Sequence, residues 1–343
     1  MKIIKKLVSL TMVCMMTLNL AISVFATEQN IDTGADPFSI LENESVVLPS
    51  GEEVHLYKTY CNNSDAMERI NEDLSEFIAH MRDLYNLPAL TNESFDEYAG
   101  YAFSVDIDEK YADSAMKFAS FVDIYENKAK NDQIIEYIDS LSNNNTRSVK
   151  SNDEILDDLY YLLPYGEIER ISRPVVMSSY SVTDAVTYAT TYAVNRNTAY
   201  DYVSNADCTN FASQILKAGG YNETSSWYSG STLLGGKSDR WWNADYFMRM
   251  IGVAKKTTSF SSFSGYLSKG SFIAYDREGD GDWNHMGFVT AVGSSATTNG
   301  VTYTNFKVAQ HTTNYHLWVS SENNGWEKLY DGTCYFAYSN PLS

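Results

Sequence analysis

Five short runs rich in β-branched and aromatic residues close the chain, and they restrict its fold more than any other feature. They read SFIAYD, HMGFVTAV, TNFKVAQHT, YHLWVS and CYFAYS, and Gly, Asp, Asn or Ser residues bound them. Runs of this kind are typical of strands joined by turns. Because helical patterns precede them, the order of elements predicts an α+β fold with an antiparallel sheet.

The preceding chain has a different pattern. From Ala66 to about Leu141, apolar residues recur at spacings of three and four with acids between them, which predicts helices. Short apolar runs and turn formers before Ala66 predict an extended or weakly stranded lead-in. The segment EILDDLYYLL predicts one more short helix before Pro164, and SNNNTRSVKSND at 142–153 is the predicted linker.

The N-terminus has the pattern of a signal peptide. Three lysines precede an uncharged apolar run that ends in Val24-Phe25-Ala26, a small-residue pattern typical of signal peptidase sites. We expect cleavage before Thr27 and a secreted, extracellular or cell-wall-associated protein; an uncleaved anchor is the alternative. No later segment approaches the roughly 20 apolar residues that span a bilayer. The predicted organisation is a signal peptide at 1–26, a mainly helical N-terminal domain at 27–141, a linker and connecting helix at 142–177 and an α+β domain at 178–343.

The charge of the chain excludes one class of partner. Its formal net charge is −19, and the predicted signal peptide removes three lysines and no acids, which leaves the mature chain more acidic still. Binding to nucleic acid or anionic lipid through bulk electrostatics is therefore not expected. The oligomeric state is left open.

Three cysteines remain after the predicted signal peptide: Cys61, Cys208 and Cys334. So few do not make a disulfide scaffold in an exported protein. A bridge between Cys61 and Cys334 would leave Cys208 as the odd thiol, but the sequence leaves that pairing open.

Cys208 has the surroundings of a nucleophile. The turn SNAD precedes a predicted helix from about Cys208 to Ala218, which Gly219-Gly220 ends. If Asp207 or Asn205 caps this helix, Cys208 lies in its first turn, where the helix dipole favours the thiolate. The core-facing residues begin only further along, which favours a catalytic role over a structural one.

A cysteine nucleophile needs a group that takes and returns its proton, and His285 is the best placed histidine. It follows the turn-rich DREGDGDWN and opens the apolar run MGFVTAV, so its ring is expected at a strand entrance. His311, near the end of TNFKVAQHT, is the predicted residue that orients the His285 ring. Asn314 is next in line, and a purely local hydrogen bond is the alternative for His311.

Four stretches carry a family resemblance: YATTYAVNRNTAYDYVSNADCTNFASQILKAGG, SDRWWNADYF, GSFIAYDREGDGDWNHMGFVT and VAQHTTNYH. In this order they resemble the putative amidase domain family of bacterial exported proteins, which is similar to the NlpC-like and CHAP groups of papain-fold hydrolases. The resemblance implies a helix that bears a nucleophilic Cys208 and packs on an antiparallel sheet, with His285 as base. It also implies a polar orienting residue from the following strand, which His311 matches best. The first 150 residues are not covered.

The oxyanion donors are predicted from the same resemblance. In related papain-like folds the backbone N–H of the cysteine and a side-chain donor a few residues upstream hold the oxyanion. Tyr202 is the first candidate for the side-chain donor and Asn205 the second, whereas core packing is the alternative role for Tyr202.

Aromatic residues lie between the predicted nucleophile and base, at Trp227, Trp241, Trp242 and Tyr246. They could line a substrate groove, although WWNADYF is more typical of the packed start of a helix. The candidates retained for a groove are Trp227, Trp242, Asn284 and Asn314.

The acid-rich DREGDGD resembles the start of an EF-hand loop, which would suggest calcium. Its twelfth position is Gly287, where a bidentate Glu belongs, so a hairpin turn is the prediction. His311 and His316 have metal-site spacing, but they would point to opposite faces of a strand. We therefore expect no metal and no cofactor.

The sequence thus predicts a cysteine-dependent amidase or peptidase that cuts an amide bond through a thioester, with cell-wall peptidoglycan peptides as the substrate suggested by class and compartment. An acyltransferase of the same fold and a non-catalytic wall-binding or adhesion module are the alternatives. The N-terminal segment could serve dimerisation, inhibition as a pro-region or targeting, and its composition does not rank these roles.

Overall fold

The computed structural model describes residues 36–42, 44–48, 50–99, 101–102, 109–143, 152–168, 180–203, 207–230, 237–322, 324–328 and 334–341. The predicted signal peptide, Asn205 and most of the predicted linker lie outside these residues. The described residues from Asp36 onward belong to one compact unit.

A six-stranded antiparallel sheet organises the C-terminal half. Its spatial order is β5-β10-β6-β7-β8-β9. The five runs predicted as strands all form strands, and the sequence missed only β5, a short edge strand of sequence KKT whose lysines suit an exposed sheet edge. The bounds are β5 Lys255–Thr257, β6 Phe272–Asp276, β7 His285–Thr298, β8 Val301–Gln310, β9 Tyr315–Trp318 and β10 Tyr335–Ser339.

Both faces of this sheet are covered, because alternate residues of the central strands enter different hydrophobic clusters. Phe272 and Met286 pack in the cluster that includes Cys208. Ile273 and Val289 point to the opposite face, where they join the cluster that contains Phe263. This double burial explains why β6 and β7 read as nearly continuous apolar runs and not as an alternation of apolar and polar residues.

Helices surround the sheet in the same half of the chain. The Ser181 hydroxyl caps the first of them by accepting the backbone N–H of Asp184. The next one ends at Ala218, and Gly220 then adopts φ +103°, as the Gly-Gly pair predicts. The bounds are α7 Val182–Tyr192, α8 Asp207–Ala218, α9 Asp239–Trp242, α10 Ala244–Ile251 and α11 Phe260–Tyr266.

The N-terminal region contains four short strands and six helices among its described residues. The strands form two antiparallel pairs, β2 with β3 and, enclosing them in sequence, β1 with β4. The helices α1 to α5 form where the sequence predicts helix, whereas α6, after Pro164, was not predicted. The bounds are β1 Ile40–Leu41, β2 Ser45–Val47, β3 Glu53–His55, β4 Thr59–Tyr60, α1 Asn63–Asp73, α2 Ser75–Tyr85, α3 Phe95–Ala99, α4 Ala112–Asn143, α5 Asn152–Leu159 and α6 Tyr165–Ile168.

The 32-residue helix α4 connects two hydrophobic clusters of this region. Its first half buries Phe118 and Phe121 against α1 and α2, whereas its second half buries Ile134 and Ile138 beside β3 and α5. The whole arrangement is a mixture of helices and an antiparallel sheet, so the predicted α+β class is confirmed. No helix in the described ranges is long and apolar enough to cross a membrane.

Candidate active site

Cys208 is the second residue of α8 and lies in its first turn, as predicted. The helix packs Phe211 and Ile215 into the core and thereby holds the thiol against the sheet, where the residue is 5% exposed. The backbone N–H of Cys208 is one of the donors that a helix start leaves without an intrahelical partner. It donates to the hydroxyl of Thr312 at 3.2 Å.

The environment of Cys208 favours its thiolate. Burial raises the pKa of the thiol, but the charge of His285 and its hydrogen bond with the sulfur lower it. Hydrogen bonds from the Thr209 hydroxyl and the Met286 backbone act in the same direction, and the pKa of Cys208 ends below its ordinary value. A lowered pKa is what a cysteine nucleophile needs near neutral pH.

His285 opens β7, and its ring is held by Gln310. The Nε2 atom of His285 lies 3.0 Å from Oε1 of Gln310. That same Oε1 accepts the indole N–H of Trp326 at 2.9 Å. Because an indole nitrogen can only donate, the Gln310 atom must be the oxygen, and His285 must donate from Nε2. A neutral ring in this tautomer keeps its lone pair on Nδ1, and the same ring hydrogen-bonds the sulfur of Cys208.

His311 lies elsewhere. Its Nδ1 is 2.8 Å from Oδ2 of Asp207, its Nε2 donates to the carbonyl of Tyr192 at 2.8 Å, and its ring stacks on Phe211 with centroids 3.8 Å apart. Both ring nitrogens are therefore engaged away from His285. The contact predicted for His311 is made by its neighbour Gln310.

The difference between these neighbours follows from strand geometry. Successive side chains point to opposite sides of a strand, so only one of Gln310 and His311 can face His285 at the end of β8. Both belong to the stretch VAQHTTNYH. The sequence predicts His311 as the residue that orients His285 because imidazole is the commoner acid–base group. Trp326 fixes the orientation of the Gln310 amide. It lies outside the four stretches that carry the family resemblance, so the sequence did not predict its role.

The predicted oxyanion donors are only partly described. The Tyr202 ring is 50% exposed and lies under the guanidinium of Arg196, 4.1 Å from its centroid, so it is not packed in the core. Asn205 lies outside the described residues. The backbone N–H of Cys208 is at the expected helix start, and Thr312, which accepts it, has φ +81°. A β-branched residue rarely adopts that conformation, so its backbone is strained.

Comparison with known protein families gives one match. Residues 179–334 match the profile described as a putative amidase domain. This part of the chain is thus similar to the putative amidase domain family, and we call residues 179–334 the amidase domain. The amidase domain includes Cys208, His285 and Gln310, whereas the helices α1 to α6 lie outside it.

Two relatives are uncharacterized proteins of Bacillus subtilis (strain 168). YjcM is 29% identical over 195 residues, which cover 54% of this chain and 42% of YjcM. YhbB is 34% identical over 133 residues, which cover 35% of this chain and 40% of YhbB. The chain thus spans about two fifths of the length of these curated relatives. No solved structure matches the chain.

The tryptophans of the amidase domain mainly serve packing. Trp227 is 0% exposed, packs against Trp241 with the rings tilted and their centroids 4.7 Å apart, and donates to the hydroxyl of Ser213. The prediction that Trp227 lines a groove is therefore wrong, because the packed interior leaves it no surface. Trp242 is half-buried, and it does not line the cleft of about 410 Å³ that opens beside it at Tyr246.

The two asparagine candidates have different surroundings. Asn284 is half-buried and donates from Nδ2 to Asp123 of α4 at 2.6 Å, while its Oδ1 accepts the backbone N–H of Arg277. It therefore holds the loop before His285 in place. Asn314 is exposed, and its Nδ2 is 3.4 Å from the carbonyl oxygen of Val194.

The acid-rich segment before His285 is a hairpin connection, as predicted, because Tyr275 of β6 pairs with His285 of β7. The carboxylate of Asp276 organises it by accepting backbone N–H groups from Gly279, Asp280 and Gly281. Asp276 is thus used within the turn and not as the first ligand of an EF-hand loop.

The cysteines Cys61 and Cys334 are both free, and no bridge joins them. Cys61 is exposed and Cys334 is buried. The open question of their pairing is answered, and Cys208 is one of three free thiols in the described ranges.

Proposed function

We propose that the chain is an amide hydrolase that works through a thioester on Cys208. The observation that carries this proposal is the tautomer of His285, which Gln310 and Trp326 fix so that Nδ1 presents its lone pair. The lowered pKa of Cys208 beside the same ring supports it further. A cysteine and histidine arranged in this way provide a nucleophile and its base.

The first half of the reaction forms the thioester. Nδ1 of His285 takes the thiol proton as Sγ of Cys208 attacks the carbonyl carbon of the amide. The imidazolium donates from Nε2 to Gln310 while the tetrahedral intermediate exists. When the intermediate collapses, the C–N bond breaks and His285 gives its proton to the leaving amine.

The second half releases the acid. His285 takes a proton from water as the water oxygen attacks the thioester carbon. The C–S bond then breaks, and the proton returns to the sulfur of Cys208. The thiol and the neutral imidazole are thereby restored, so the residues end as they began.

The start of α8 supplies the stabilisation of the oxyanion in this proposal. The backbone N–H of Cys208 points at Thr312, and the positive end of the helix dipole lies at the same place. The substrate oxygen takes over this N–H from the Thr312 hydroxyl as negative charge develops. Tyr202 remains the proposed side-chain donor.

The proposed substrate is a peptide or amide linkage of cell-wall peptidoglycan. The signal-peptide pattern of residues 1–26 supports export, which brings an amide hydrolase to the wall. The family match supports hydrolysis of an amide bond. The signal-peptide pattern supports a cell-wall substrate over an intracellular amide.

Mass spectrometry of digested peptidoglycan tests this function. Purified peptidoglycan is incubated with the mature protein, with Cys208→Ala and with Cys61→Ala, which removes an exposed free thiol as a matched control. We expect new fragments from the wild type and from Cys61→Ala and none from Cys208→Ala. Identical product spectra for wild type and Cys208→Ala would rule out this function, whereas fragments joined to a second amine in place of water would show acyl transfer.

A further inference from the structure

One face of α4 meets the hairpin loop that precedes His285. Asp123, Asn127 and Lys130 follow one another at helical spacing on this face. The side chain of Asn127 donates to Asp280, Lys130 pairs with Asp282, and Asn284 donates to Asp123. These contacts join the N-terminal region to the amidase domain next to the candidate base.

Three carboxylates converge at this contact. Asp123 and Glu126 come from α4 and Asp282 from the hairpin loop, and each offers one oxygen such that all three oxygens lie within 4.8 Å of one another. Asp282 lies 156 positions from Glu126 and 159 from Asp123 in the sequence, so the packing of distant segments, and not a local acidic run, creates this grouping.

Buried oxygens without a donor surround the same place. Oδ2 of Asp123, Oδ1 of Asn127 and Oε2 of Glu278 accept no hydrogen bond from a donor in the described part of the chain, and the carboxyl groups of Asp123 and Glu278 contact each other. Asp123 is 2% exposed and Asn127 is 0% exposed, so bulk water does not satisfy them. Unsatisfied buried acceptors are rare in folded proteins and call for an ion, a proton or a bound water.

The local charges also lack compensation. Lys130 is shared between Asp282 and Glu126, with the Glu126 oxygen at 2.7 Å, and this leaves Asp123 without an ion pair. Of the three carboxylates, Asp123 is therefore the one whose charge a bound cation would compensate.

We propose that Asp123, Glu126 and Asp282 bind a divalent cation, and that Ca²⁺ is the cation that fits. All three ligands are carboxylate oxygens, and the amide oxygen of Asn127 is a further hard ligand on the same helix face. Ca²⁺ accepts such ligands in flexible geometry, whereas Mg²⁺ demands a near-ideal octahedron and keeps its waters. No histidine or cysteine takes part, which disfavours Zn²⁺.

This site differs from an EF-hand loop. Asp276 is engaged by backbone N–H groups of its own turn, and Asp280 accepts from Asn127, so neither is a ligand. The cation instead bridges a helix of the N-terminal region and the loop of the amidase domain. Because Asn284 donates to Asp123 and precedes His285, a bound cation would fix the loop that carries the candidate base. The proposed cation site does not depend on the proposed function, because its evidence and its test involve no catalytic activity.

Calcium binding to the mature protein tests this inference without any activity assay. Protein freed of metal with a chelator is titrated with CaCl₂ by calorimetry, and its thermal unfolding is followed with and without Ca²⁺. The variants are Asp123→Asn, Asp282→Asn and Glu126→Gln. Of the three substitutions, Glu126→Gln is expected to disturb folding least, because the Glu126 side chain is 38% exposed. The matched control is Asp132→Asn, an exposed acid on the same helix that pairs with Lys128.

We expect one Ca²⁺ per chain, a higher unfolding temperature with Ca²⁺, and affinity weakened about 10-fold or more in Glu126→Gln and Asp123→Asn. Asp132→Asn should bind like the wild type. Without Ca²⁺, Asp123→Asn should unfold at a higher temperature than the wild type, since it removes an uncompensated charge. Absence of binding by the wild type would overturn the proposal in favour of a proton on Asp123, and so would unchanged affinity in all three variants.

Discussion

At the scale of single residues, the site depends on one amide oxygen. Oε1 of Gln310 accepts two donors, the imidazole of His285 and the indole of Trp326, and this double acceptance defines which nitrogen of His285 faces the thiol. A side chain with the same shape but no oxygen would leave two buried N–H groups without an acceptor. The role of Gln310 can therefore be measured separately from its packing.

We expect Gln310→Met to raise the pH at which Cys208 becomes reactive. The wild-type pKa of Cys208 is lowered, so its thiolate, and hence its alkylation by iodoacetamide, should persist at a pH below the range of an ordinary thiol. Gln310→Met stabilises the imidazolium of His285 less, so the midpoint should move up. At the wild-type midpoint the rate should fall by about 10-fold. The measurement is the pH profile of the alkylation rate, read by peptide mass spectrometry.

Gln310→Glu is the matched control for this prediction. It retains an acceptor for both donors and adds a charge that favours the imidazolium, so its midpoint should equal the wild-type value or lie below it. Cys61 provides an internal reference in each sample, because it is exposed and free. Equal midpoints for Gln310→Met and wild type would show that Gln310 only packs.

At the scale of elements, the end of β8 is fastened to the start of α8. His311 connects them through Asp207, and it also reaches the carbonyl of Tyr192 at the end of α7. Three elements thus meet at one buried ring, which places Gln310 and Thr312 on either side of it. This makes His311 a structural residue of the site in our interpretation.

His311→Ala should therefore lower stability strongly. It removes one partner of a buried pair with Asp207 and the stacking on Phe211, which should reduce the free energy of unfolding by about 3 to 5 kcal/mol. His316→Ala is the control on the next strand, since His316 is only partly buried and bonds the Thr290 hydroxyl; it should cost about 1 kcal/mol. Urea unfolding measures both. If His311→Ala keeps the wild-type free energy of unfolding, but the pH profile of its Cys208 alkylation shifts as in Gln310→Met, then His311 orients the His285 ring.

The sequence predicts elements better than contacts between them. The strands β6 to β10 and the helix α8 follow from local periodicity and from turn residues such as Gly219 and Gly220, which act within a few positions. The choice between Gln310 and His311 depends on the direction of side chains at a strand end, which a one-residue shift reverses. The approach of Asp123 to Asp282 depends on how distant segments pack, and no local pattern encodes it.

At the scale of the whole molecule, the N-terminal region and the amidase domain share buried polar contacts. The guanidinium of Arg249 in α10 pairs with Asp245 and donates to the carbonyls of Tyr160 and Leu163 and to the hydroxyl of Tyr57. These partners all precede the predicted domain at 178–343, except Asp245. A surface that divides two independent domains does not usually bury a charge in this way.

We therefore expect a chain of residues 178–343 to fold poorly by itself. It exposes the apolar surface on which Tyr165 of α6 packs, including Trp283, and leaves Arg249 without its carbonyl acceptors, at about 1 to 3 kcal/mol for each lost partner. These losses are comparable with the roughly 5 to 15 kcal/mol of stability of a typical domain. A chain of residues 152–343 retains Tyr160 and Leu163 and should unfold at an intermediate temperature, below that of the mature protein.

Thermal unfolding followed by circular dichroism compares the unfolding temperatures of the mature protein, 152–343 and 178–343. Alkylation of Cys208 reports whether the candidate active site is formed in each. If 178–343 unfolds cooperatively at the temperature of the mature protein, the buried contacts of Arg249 do not join the two regions energetically. If it is folded and its Cys208 reacts faster than in the mature chain, the N-terminal region inhibits the enzyme as a pro-region would. The third outcome is that 178–343 shows neither a cooperative transition nor reactive Cys208, while the chain 152–343 recovers part of both. That result would show that these contacts hold the amidase domain in its folded form.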